Sequence, residues 1–157
     1  MKIKNVMTKD PKCCVPSDTA QRAAIIMRDE KAGVVPVIEN EQSRKLLGIV
    51  TDRDLCMNIV AEGRDARTVQ VQECMTTAVV SALPQDALEK ATELMRDNQI
   101  RRIPVIDEQR RLVGIVSLAD VVERASVKTV ETHETLKTVS APTDEPSKPR
   151  AKSRKIA

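Results

Sequence analysis

The stretch GIVTDRDL, residues 48–55, returns in altered form as GIVSLADV, residues 114–121. In both, an apolar run ends in a hydroxyl, Thr51 or Ser117, followed three residues later by an aspartate, Asp54 or Asp120. Outward from this pair the likeness continues. Met7-Thr8 matches Met75-Thr76, Pro16-x-Asp18 matches Pro84-x-Asp86, Met27-Arg28-Asp29 matches Met95-Arg96-Asp97, and Pro36-Val37-Ile38 matches Pro104-Val105-Ile106, all at an offset of 68 residues. The offset then becomes 66, because the first copy carries a longer loop between Glu39 and Lys45. Matches that keep their order across most of two copies mark a duplicated structural unit.

Each copy reads as a short strand, a helix, two strands and a second helix. In the first, Ala20, Ala23, Ala24 and Met27 fall at helical spacing, with Asp18 placed to cap them. In the second, Leu88, Ala91 and Met95 do the same behind Asp86 and Glu89, spaced close to a capping box. The runs 34–38, 46–50, 103–106 and 112–116 are short and β-branched, as buried strands are. The charged links ENEQSRK and DEQRR read as hairpin turns. One copy of about 60 residues buries too little surface to be comfortable alone. The expectation is an α/β (α+β) module of two β-α-β-β-α halves, residues 1–68 and 69–126, related by pseudo-two-fold symmetry. A flexible basic tail, residues 127–157, is expected to follow.

Composition excludes several functions. With no Phe, Tyr or Trp, any bound ring is held by aliphatic side chains, backbone or an arginine plane, without aromatic stacking. A single histidine, His133, leaves little material for a nucleophilic triad or a histidine-rich metal site. Cys13, Cys14, Cys56 and Cys74 show no C-x-x-C spacing and read as free, mostly buried thiols. Four glycines cannot assemble a Walker or Rossmann phosphate loop. No acidic cluster suggests a tuned catalytic pair, so a non-enzyme is expected, with no catalytic cofactor. No apolar run nears the ~20 residues of a membrane span, and the start, MKIKNVMTKD, lacks the apolar centre of a secretory signal; the expectation is a cytoplasmic protein without membrane contact. Residues 1–126 carry 19 basic and 19 acidic side chains, so the formal surplus of +3 lies in the tail.

Thr51 and Ser117 should sit at helix starts with Asp54 and Asp120 one turn in. A helix start offers free N–H groups to phosphate oxygens, a hydroxyl adds a donor, and an aspartate can accept from a ribose diol. The same spacing is nearly a capping box, so helix initiation alone also explains it.

The order MT, P-x-D, MRD, PVI, GIV(T/S)-x-x-D resembles the cystathionine β-synthase (CBS) motif, and two in tandem resemble a Bateman module over roughly residues 3–125. The resemblance implies sheets packed together with helices outside, and clefts between the halves that bind AMP, ADP, ATP or S-adenosylmethionine to regulate a partner protein. It implies one site with Thr51 and Arg102 towards phosphate, Asp54 towards ribose, Arg53 adding charge, and Val79, Val80, Ile103 and Pro104 around adenine. In the other, Ser117 and Asp120 take the Thr51 and Asp54 roles, opposed by Lys12, Val34, Val35 and Pro36. Arg53 and Arg102 would suit the first site to more phosphates and leave the Asp120 site for a less charged ligand. Family members commonly form homodimers, which is the expected assembly. The alternatives are a structural dimerisation module with empty clefts, or a nucleic-acid-associated protein using KPRAKSRK, residues 148–155; the neutral folded part argues against nucleic acid.

Overall fold

The computed structural model describes residues 1–124; the basic tail, including His133 and KPRAKSRK, lies outside the described residues. The elements run β1 (Thr8–Lys9), α1 (Ala20–Asp29), β2 (Val34–Ile38), β3 (Leu46–Thr51), α2 (Asp52–Leu55), α3 (Leu88–Asn98), β4 (Arg102–Ile106), β5 (Leu112–Ser117) and α4 (Leu118–Arg124), with α2 continuing as a π-helical turn over Cys56–Val60. Two small antiparallel sheets result, β2-β3 and β1-β5-β4. The four long strands match their expected runs to within one residue at either end, because short runs rich in β-branched residues suit buried strands; burial alternates along β3 and β5 and is continuous through the middle of β2 and β4.

The segment that opens each copy is built into the other half. Thr8 pairs with Ile115 and Lys9 with Gly114. Correspondingly, Thr76 and Ile49 exchange two backbone hydrogen bonds of 2.8 and 2.9 Å. Ahead of these contacts the Ile3 amide donates to Asp86 O (3.0 Å), and the Val71 amide to Asp18 O (2.8 Å). The side chains follow the backbone. Ile3 and Val6 are buried with Leu88, Met95, Ile103 and Val116 in one core. Val71 and Cys74 are buried with Ala23, Met27, Val35 and Val50 in the other. A third cluster joins Cys13, Ile38 and Leu46 to Leu112 across the seam. There the hairpins cross-link symmetrically: the Leu46 amide donates to Arg110 O (3.0 Å) and the Leu112 amide to Arg44 O (2.8 Å).

Three local expectations are corrected. Asp18 does not cap α1; Thr19 does, accepting from the Arg22 amide at 3.2 Å. Asp86 does not cap α3, whose first flanking residue, Ala87, has no capping side chain. Both aspartates instead close the preceding proline turn, each accepting at 2.8 Å from an amide three residues back, Val15 or Leu83. This local bond competes with capping because a short carboxylate reaches its own turn first. Ala24 is exposed, so α1 buries a narrower stripe, Ala20, Ala23 and Met27.

The cysteines are free thiols, with Cys56 exposed and the other three buried. Burial pushes Cys13 and Cys74 up to about 11 and Cys14 to about 12, from an ordinary 9.0. They stay protonated at neutral pH, which makes poor nucleophiles of them.

Gly48 and Gly114 lie where the exchanged segments cross the sheets. A Cβ on Gly48 would sit 2.7 Å from Thr76 O, and one on Gly114 would sit 2.9 Å from Thr8 O. Alanine in a strand interior ordinarily gains over glycine. Here Gly48→Ala and Gly114→Ala are each expected to cost about 1–3 kcal/mol, because backbone must move to admit the methyl. Urea unfolding midpoints below that of the unsubstituted protein are the expected result; unchanged midpoints would contradict the close approach.

Candidate functional site

The last residue of β3 is the N-cap of α2. Thr51 Oγ1 accepts from the Asp54 amide at 3.1 Å, and Asp54 Oδ2 accepts from the Thr51 amide at 2.9 Å. At the end of β5 the arrangement repeats: Ser117 Oγ accepts from the Asp120 amide (3.1 Å), and Asp120 Oδ2 accepts from the Ser117 amide (2.9 Å). The Ser117 hydroxyl also donates to Asp120 Oδ2 at 2.7 Å. Both motifs are therefore capping boxes, each satisfying two amides that a helix start leaves open. They differ in what lies beside them. Asp54 is buried at 7% exposure, whereas Asp120 is half-buried and faces a cleft.

That cleft, about 200 Å³, opens between the two halves. From the second half come Ser117, Asp120, Ile115 and Arg102. From the first come Lys12, Val34 and Pro36, together with Ile26, Glu30 and Ala32 near the end of α1, and Thr8 and Pro11 ahead of it. Pairing explains the convergence. Arg102 lies opposite Ser117 across the β4-β5 ladder, and Thr8 lies opposite Ile115 across β1-β5. The lining thus combines apolar Ile26, Val34, Pro36 and Ile115 with two cations, Lys12 and Arg102, and two acidic residues, Glu30 and Asp120. Concave, mostly apolar sites with a few convergent polar groups are how small ligands are held.

Ser117, Asp120, Lys12, Val34 and Pro36 come together as one lining. Val35 does not join them: its side chain is fully buried in the first core, because neighbours in a strand face opposite ways. Ile103, between Arg102 and Pro104, is likewise buried in the second core. Arg102, assigned to the Thr51 side, lines the Asp120 cleft instead. Of the other residues assigned to the Thr51 side, Arg53 is exposed, Val80 is half-buried, Pro104 is buried, and Val79 packs on the cluster at the seam. Thr8, Pro11, Ile26, Glu30, Ala32 and Ile115 were not anticipated. For Ile26 and Glu30 a signal existed, since their four-residue spacing puts them on one helix face.

The profile of the CBS domain family matches residues 3–61 and 71–127, and this chain belongs to that family. It is similar to the CBS domain-containing protein YhcV of Bacillus subtilis, 42% identical over 118 residues, covering 75% of this chain and 81% of that protein. Among solved structures it resembles the CBS domain pair of protein MJ0100 in complex with 5′-methylthioadenosine and S-adenosyl-L-methionine, with a TM-score of 0.70 and 26% identity, over 82% of this chain and 98% of the other. It also resembles CBSX2 in complex with AMP, with a TM-score of 0.66 and 26% identity, over 80% and 96% of the two chains.

Removing a cap acceptor costs about 1 kcal/mol. Asp54→Ala is expected to destabilise more than Asp120→Ala, since the Thr51 amide is left without its acceptor beside a buried position. Paired urea unfolding curves check the order; equal losses would show that the difference in burial has no energetic weight.

Proposed function

We propose that this protein is a regulatory sensor that binds an adenosine-containing ligand between its two CBS halves and controls a partner protein. The observation that carries the reading is the cleft in which Ser117 and Asp120 of one half oppose Lys12, Val34 and Pro36 of the other. It is supported by the two similar domain pairs, one solved with S-adenosyl-L-methionine and 5′-methylthioadenosine and one with AMP. In this reading the aliphatic wall takes the adenine, Asp120 the ribose and the cations the phosphate. A related site beside Thr51, Arg53 and Asp54, facing Val79, Val80 and Pro104, belongs to the same proposal.

Because Asp120 also caps α4, the ligand's contribution is best read from the two cations. Titration calorimetry is expected to detect AMP binding, and Lys12→Ala or Arg102→Ala to weaken it about tenfold, the scale of one lost charge-assisted hydrogen bond. The two capping boxes favour a second reading, a structural module with empty clefts. Absence of heat with AMP, ATP and S-adenosylmethionine would select it.

The proposed assembly is a homodimer. Ile25 on α1, Met57 and Val60 on the π-helical turn and Val122 on α4 are exposed at 41%, 52%, 74% and 47%, and apolar helix faces of this kind are covered most simply by a second copy. Light scattering is expected to give twice the chain mass, falling to one in Met57→Glu/Val60→Glu; a monomeric starting protein would exclude this assembly.

A further inference from the structure

The wall of the cleft carries balanced charge, Lys12 and Arg102 against Asp120 and Glu30. Asp120 Oδ2 is engaged by the Ser117 amide and hydroxyl. Glu30 is different in kind. It is the exposed C-cap residue of α1, its backbone held by the bond from its amide to Ile26 O at 2.9 Å, and Ile26 lines the same cleft one turn earlier. The corresponding residue of the second copy, 68 positions on, is Asn98, so the carboxylate is a property of one half only. In a cleft of about 200 Å³, wall charges and any bound anion stand within roughly one Debye length, about 8 Å at physiological salt. Screening at physiological salt therefore weakens the effect of Glu30 on a bound phosphate without abolishing it, and low salt exposes it.

We infer that Glu30 sets the charge class of the ligand, so that this cleft takes a nucleoside monophosphate and disfavours a triphosphate. The inference rests on the nucleotide-binding reading above. Two unit charges about 8 Å apart in water interact by little more than a factor of two in an equilibrium constant. A triphosphate carries about two more negative charges than a monophosphate, so Glu30 is expected to shift their relative affinity about five-fold.

The test is calorimetric titration of adenosine, AMP and ATP in magnesium-free, low-salt buffer, with the event in this cleft identified as the one that Lys12→Ala weakens. The unsubstituted protein is expected to bind AMP at least as tightly as ATP. In Glu30→Gln the ratio of the ATP to the AMP dissociation constant is expected to fall about five-fold while adenosine is unchanged. Glu30→Asn, which copies the residue of the second half, is expected to do the same, with urea midpoints showing both variants folded. An unchanged ratio in both variants, or ATP binding tenfold tighter than AMP before substitution, overturns the role of Glu30 and leaves nucleotide binding standing. No heat with any of the three ligands overturns nucleotide binding itself, and the inference with it.

Discussion

The exchange of opening segments between the halves is the constraint on which the rest of the molecule depends. Thr8 lies against Ile115 and Thr76 against Ile49, and each contact passes over a glycine with no room for a Cβ. Because Ile3 and Val6 complete the core around Leu88, and Val71 and Cys74 the core around Ala23, neither half can finish its interior from its own copy. A small unit that shares its core this way escapes the surface-to-volume penalty of its size. Pseudo-symmetry follows from the same exchange, since each loan is repaid at the equivalent position.

That arrangement also puts the cleft at a seam. Its lining mixes β2 and the end of α1 from one half with β4, β5 and the start of α4 from the other. Under the proposed reading, a ligand there would touch both halves at once and stabilise one relative arrangement of them by its differential affinity, which is the thermodynamic requirement for a sensor. No catalytic group is needed for that work.

The two hydroxyl–aspartate pairs show how one pattern serves two ends. Both are capping boxes, yet the pair at Ser117 borders open space while Asp54 is almost fully buried. Duplication kept the local chemistry, and neighbouring substitutions changed the surroundings. Arg102 and Glu30 have Val34 and Asn98 as their counterparts, so the two sides of the seam no longer present the same charges.

The repeat, the helix-strand-strand-helix order of each half, the hairpins and the roles of Thr51 and Ser117 as helix starts were legible in the sequence, because apolar patterning and short-range hydrogen bonding act over a few residues; the opening strand expected in the second copy is reduced to the single bridge of Thr76 with Ile49. So was the likeness to the family. What only the tertiary structure decided depends on contacts between distant residues: that Ile3 and Val71 serve the opposite core, that Arg102 reaches the Asp120 cleft, and that Glu30 stands in it. The turn bonds of Asp18 and Asp86 were local, but two acceptable local partners competed for each carboxylate and spacing does not rank them. Period-two alternation puts Val35 opposite Val34 and Pro36 on β2, and Ile103 opposite Arg102 on β4; which face of each strand meets the other half is settled by packing.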